Sequence, residues 1–183
     1  MNSPVDLWHA EHMDFARLLE LLQKQLEVFR DGGAPNYVLM RDIVQYLRNF
    51  PDRYHHAREE IAFRRLALRD PAAREQLAKL EQEHRIIAAA GDALLKCLDE
   101  IAEDAWLPRS EVESSAATYL VYYQMHIGKE EKEILPLARE TLTAEDWEAV
   151  SAARPSGPDP LFGVSADPRF RELRRQIATE MHG

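Results

Sequence analysis

Cysteine is all but absent from this 183-residue chain. Cys97 stands alone, so no internal disulfide and no cysteine-based zinc site can form. Positive charge is also in short supply. With 32 Asp+Glu against 23 Lys+Arg the formal net charge is −9, which argues against nucleic acid or an anionic membrane as the main partner. No apolar run approaches the ~18 residues of a membrane span. The opening MNSPVDLWHAEHMDF lacks the basic flank and apolar core of a secretion signal. These absences lead us to expect a cytoplasmic globular protein, and the charge is compatible with either a monomer or a homodimer. Strand-like alternation of β-branched residues is missing as well. Between Pro35 and Ala153 the only glycines are Gly91 and Gly128, in a stretch rich in Ala, Leu, Glu, Arg and Gln. Such a composition favours helix, and the fold class is read as all-α.

What is present divides into segments by its punctuation. A first helix is expected from Pro4, capped by Asn2 or Ser3, to the Asp31-Gly32-Gly33 stop. A second opens after Pro35-Asn36 and runs to about Arg69, with a kink at Pro51. Asp70-Pro71 then starts a third, ending near Glu103, and Pro108 a fourth, ending near Arg139. A short helix capped by Thr143 follows, then a Pro/Gly-rich loop over residues 154–168 and a terminal helix over 169–181. The expected organisation is a bundle over residues 1–140 and a C-terminal extension over 141–183.

The buried seams of these helices carry unexpected residues. In the first, Phe15, Leu19, Leu22, Leu26 and Phe29 recur at steps of four and three, and one step back is His12. The third has Leu77, Leu80, Ile87, Leu94 and Leu98, with His84 at the position skipped. In the fourth, Val112, Ala116, Tyr119 and Tyr123 lead to His126 and then Glu130. In the second, Met40, Val44 and Leu47 lead past the kink to His55 and then Glu59. Four of the seven histidines thus face inward from four helices, two of them with a glutamate one turn on.

A lone histidine on an apolar face is ordinarily a hydrogen-bonded core residue. Six ionisable groups on inward seams are another matter, because a buried carboxylate costs several kcal/mol unless a cation or dense hydrogen bonding offsets it. Imidazole and carboxylate together suit first-row transition ions rather than calcium or magnesium. Six ligands exceed one tetrahedral zinc but suit two metals sharing bridging carboxylates. The expectation is a di-iron centre with an oxide or hydroxide bridge, with another transition metal such as zinc as the alternative.

The repeated pattern His55-His56-Ala57-Arg58-Glu59-Glu60 and His126-Ile127-Gly128-Lys129-Glu130-Glu131, together with Glu11-His12 and Glu83-His84, resembles the hemerythrin-like (HHE cation-binding) domains. The Asp159-Pro160-Leu161-Phe162-Gly163 segment looks like one that follows the bundle in bacterial members. The resemblance implies an up-and-down four-helix bundle with a non-haem di-iron site. Its ligands would be His12, His55, Glu59, His84, His126 and Glu130, with both glutamates bridging. One departure matters. Oxygen-carrying hemerythrins have a second histidine one turn after the third-helix ligand, where this chain has Ala88. That puts oxygen carriage of the invertebrate type in doubt. The vacated position falls to His56, His9 or, most simply, water.

The expected function is binding of a small ligand such as O2, NO or peroxide, for sensing, storage or detoxification, without assigned catalytic residues. The alternatives are an enzyme turning over peroxide or NO, and a helical interaction module with a structural metal. Other residues take ordinary readings: His56 solvent-facing or behind the ligands, His9 a surface residue at the helix start, Glu60 and Glu131 solvated, His182 in a frayed end. Tyr119, Tyr122 and Tyr123 read as core, and Cys97 as a small apolar filler.

Overall fold

The computed structural model describes residues 4–103, 106–153, 159–163 and 168–180. Helix α1 (Pro4–Arg30) ends where Gly32 takes a left-handed φ of 85° and the Gly33 N–H donates to the Val28 carbonyl. The expected Asn2 or Ser3 cap lies outside the described residues. Helix α2 (Tyr37–Asn49) opens on Asn36, whose side chain accepts from the Leu39 N–H at 3.0 Å.

The kink expected at Pro51 is a five-residue π-turn, Pro51–His55, which leads directly into α3 (His56–Arg69). Proline has no N–H to continue the ladder; the Tyr54 N–H still reaches the Phe50 carbonyl at 3.0 Å, but the His56 N–H bonds to the Pro51 carbonyl, five residues back. Asp70 caps a 3₁₀ turn at Pro71–Ala73, followed by α4 (Arg74–Ala102). The fourth helix departs from the expectation of an unbroken rod. It comprises α5 (Arg109–Lys129), a second π-turn at Glu130–Ile134 and α6 (Leu135–Thr141).

The apolar residues settle into two cores. One gathers Phe15–Phe29 side chains of α1 with Met40 and Leu47 of α2, Ile87 and Leu94 of α4, and Tyr119 and Tyr123 of α5. The other gathers Trp8 with Phe63 and Leu66 of α3, Leu80 of α4, and Ile134 and Ala138. Along the chain the four rods pass from the second core to the first and back, alternately. Each packs on its successor, and α1 closes the ring against α5. The molecule is therefore an all-α up-and-down bundle. Between the two cores lies a layer that contains His12, His55, Glu59, His84, His126 and Glu130, all buried.

The segments beyond residue 140 are built into these cores. Helix α7 (Ala144–Ala152) starts with a reciprocal capping box between Thr143 and Asp146. It lies on α3, and Val150 enters the second core. Leu161, Phe170 and Leu173, the last on α8 (Arg171–Glu180), enter the first. The Tyr46 hydroxyl donates to Asp159 at 2.7 Å, and the Tyr46 ring packs edge-on against Phe162 and Phe170. Most of the expected 154–168 loop, as well as Met181 and His182, lies outside the described residues. Among the described residues no helix is long and apolar enough to cross a membrane.

Candidate metal centre

Both π-turns fall in the two helices that carry the His-x-x-x-Glu pattern, one ending on His55 and the other beginning on Glu130. A π-turn inserts one residue and rotates the chain beyond it by about 100° relative to a regular helix. Here it sets the aim of an imidazole on one side of the bundle and a carboxylate on the other.

The six expected residues converge. His12 Nε2 lies 2.8 Å from His55 Nε2, and His84 and His126 have ring centroids 4.6 Å apart. The two glutamates lie between these pairs. Glu59 Oε1 is 2.8 Å from His55 Nε2 and 3.4 Å from His12 Nε2, while its Oε2 is 3.6 Å from His84 Nε2. Glu130 Oε1 is 3.1 Å from His126 Nε2 and 3.8 Å from His84 Nε2, while its Oε2 is 3.4 Å from His12 Nε2. Each carboxylate thus turns one oxygen to each imidazole pair.

Behind the imidazoles stand further carboxylates that helix phase did not reveal. Glu11 meets His55 Nδ1 at 2.5 Å, Glu131 meets His12 Nδ1 at 2.6 Å, and Glu83 meets His126 Nδ1 at 3.1 Å. Each is held in turn: Arg58 donates to Glu11 at 2.6 Å, Lys129 donates to Glu83, and His9 lies 2.8 Å from Glu131. Glu131 is therefore not simply solvated. His9 keeps its expected exposed position and touches the centre only through Glu131. Glu60, half-buried, pairs with Arg64 and comes within 3.5 Å of His84 Nδ1.

The solvent-facing reading of His56 is overturned. Its residue is 4% exposed and its ring stacks on His84 at 4.1 Å with an interplanar angle of 8°. The donor atoms of His56, Glu59, His84 and His126 lie within 4.8 Å of one another, and those of His12, His55 and Glu59 form a second such group. Tyr119 and Tyr123 are buried as expected, but Tyr122 is 40% exposed. The Tyr119 and Tyr123 hydroxyls have no hydrogen-bond partner among the described residues. Cys97 is a buried filler near Ser115.

The model of the hemerythrin HHE cation-binding domain matches residues 3–138. The chain belongs to this family. Comparison with curated proteins finds no significant match. A hemerythrin HHE domain is a cation-binding domain, and the chemistry of the layer fits that role. Both oxygens of Glu59 and of Glu130, and Nε2 of His84 and of His126, are buried without a hydrogen-bond partner. Native interiors leave few such atoms unmatched. Six of them turned toward one another are the donor set a metal would satisfy.

Without a cation, the hemerythrin domain must balance these charges among themselves. Burial opposes charge on His12, but the hydrogen bond to Glu131 and the nearby carboxylates of Glu59 and Glu130 outweigh it and raise the imidazole to about 10. His84 is likewise pushed up to about 10 against burial by Glu130 and Glu59. Burial also opposes ionisation of Glu59, yet His55, His12 and His84 hold it well below the usual carboxylate range. The hydrogen bond from His126 takes Glu83 down to about 2. His56 alone among the inner imidazoles is driven the other way, by burial and by the neighbouring His84, and stays neutral.

Proposed function

We propose that the domain is a non-haem di-iron protein that binds a small ligand such as O2, NO or peroxide. His12 and His55 would hold one ion, His84 and His126 the other, and Glu59 and Glu130 would bridge them. The observation that carries this reading is the division of each carboxylate. Glu59 offers Oε1 to the His12–His55 pair and Oε2 to His84, and Glu130 offers Oε2 to His12 and Oε1 to His126. A single tetrahedral zinc would leave half of these donors unused. When bound, iron supplies a redox-active Lewis acid able to take up such a ligand.

The surroundings support a small ligand. Apolar side chains of both cores close the layer above and below, with Phe15 against His55 at 5.1 Å and Phe63 stacked on His84 at 5.9 Å. These rings shield the layer from the two cores. A pocket of about 360 Å³, lined by His56, His84 and Ala88 among others, opens from the surface to the His84 side of the layer. It gives a diatomic molecule or peroxide a route inward. The roles that fit are sensing, storage or detoxification.

The test is spectroscopic. The chain is loaded with ferrous iron without oxygen, oxidised, and titrated with azide or nitric oxide while the visible spectrum is recorded. New charge-transfer bands that saturate at one ligand per chain are expected. An iron-loaded protein whose spectrum ignores every such ligand would instead be one in which the metal only ties the helices together.

A further inference from the structure

We propose that His56 is a seventh metal-binding side chain, completing three imidazoles around the His84–His126 ion with Asp52 and Arg48 positioning it. The proposal rests on the di-metal reading and goes beyond it.

One arrangement of side chains recurs around the layer. Behind His55 stands Glu11, which is held by Arg58. Behind His126 stands Glu83, which is held by Lys129. Behind His56 stands Asp52: its Oδ1 lies 3.3 Å from His56 Nδ1, and its Oδ2 accepts from Arg48. Arg48 is anchored in turn by a two-pronged contact to Asp92, at 2.8 Å for each prong. Cation, carboxylate and imidazole thus follow one another three times, through a carboxylate–imidazole hydrogen bond in the first two cases and an ion-pair contact in the third, and in the first two the imidazole aims at the centre. An outer carboxylate on one ring nitrogen fixes the ring and raises the basicity of the other nitrogen. With Nδ1 turned to Asp52, Nε2 is the nitrogen left for the metal.

The other observations agree. The ring is buried and parallel to that of His84, and its donor lies with those of Glu59, His84 and His126. Ala88, one turn beyond His84, carries no donor and shares a pocket with His56 and His84. The chain therefore takes its remaining imidazole from the first residue after the Pro51–His55 π-turn rather than from α4. Two consecutive histidines at the end of the π-turn thus reach one layer from different sides, His55 toward His12 and His56 toward His84.

The test uses the full chain loaded anaerobically with ferrous iron, with metal counted by elemental analysis and helicity followed by circular dichroism. Wild type should hold two ions. His56→Ala should keep the first and weaken the second more than 100-fold, and free imidazole should restore it. Asp52→Asn, acting only through His56, should cost the 10–100-fold typical of an outer partner. His56→Gln keeps the volume and guards against loss of fold. The proposal is overturned if His56→Ala and His56→Gln bind both ions with wild-type affinity, or if imidazole restores nothing. A wild-type chain that holds one ion or fewer overturns it together with the di-metal reading, whereas two ions in both wild type and variants overturns the role of His56 alone.

Discussion

His12 and His55, 43 residues apart in sequence, bring their Nε2 atoms to 2.8 Å from each other at the centre of the bundle. Two ring nitrogens at that distance must share either a proton or a cation, because two facing lone pairs repel. The proton form is the one favoured without metal, with His12 and His84 both held near 10.

Metal uptake should therefore expel protons. Loading the metal-free chain with ferrous iron in weak buffer at pH 7.5 should acidify the solution, and apparent affinity should rise with pH until about 10, where these imidazoles are already neutral. Stability of the metal-free chain should run the opposite way. A raised imidazole stabilises the fold fully below its unfolded value of about 6.5, and the contribution is lost as pH rises through about 10. The metal-free Tm should thus fall between pH 7 and pH 9.5. A metal-free Tm that rises over this interval, or uptake without proton release, would show that the imidazoles are not charged when empty.

Metal should also stabilise the bundle, since the ligands proposed for it come from all four rods. Loading to a hundredfold excess over Kd adds about 2.7 kcal/mol per site, about 5.4 kcal/mol for two ions. At the roughly 2–4 °C per kcal/mol usual for a chain of this length, the Tm should rise by roughly 10–20 °C. Thermal melts with and without a chelator measure this directly.

Glu131→Ala should lower metal affinity by about 10–100-fold while leaving helicity unchanged, because it removes the carboxylate that fixes the His12 ring at 2.6 Å. Competition against a chelating dye would read the change. A variant with wild-type affinity would return Glu131 to the role of a surface charge.

That prediction depends on a residue whose part in the site is hidden from sequence periodicity. The seams of α1 and α4 are legible because Phe15, Leu19, Leu22 and Leu26, or Leu77, Leu80, Ile87 and Leu94, keep a regular helical phase throughout. His12 and His84 could be placed by extending them. The two π-turns break that phase. A regular helix puts His56 about 100° from His55 and Glu131 about 100° from Glu130, which made both look turned away from the core. The contacts of His56 with His84 and of Glu131 with His12 are made across the bundle, to helices that a single-helix phase does not describe. Pro51 signalled a disturbance but not its kind. Glu11 and Glu83 lie off their own helices' seams, and their partners are on other helices, which no single-helix pattern reveals.

The C-terminal segment should behave as part of the bundle. Leu173 is buried in the same core as Phe15 and Leu22, so Leu173→Ala should cost about 2–5 kcal/mol. Tyr46→Phe, which removes the hydrogen bond to Asp159, should cost about 1 kcal/mol. Denaturant unfolding measures both. A loss well under 1 kcal/mol for Leu173→Ala would mean that α8 does not stay docked in solution.

The most direct test of the central claim is the iron content of the purified chain after anaerobic ferrous loading and removal of excess metal, read together with its visible spectrum after oxidation. The arrangement of Glu59 and Glu130 between two imidazole pairs predicts two irons per chain and the charge-transfer absorption of a coupled ferric pair. Fewer than one iron per chain, or one stoichiometric ion without visible absorption, would contradict it.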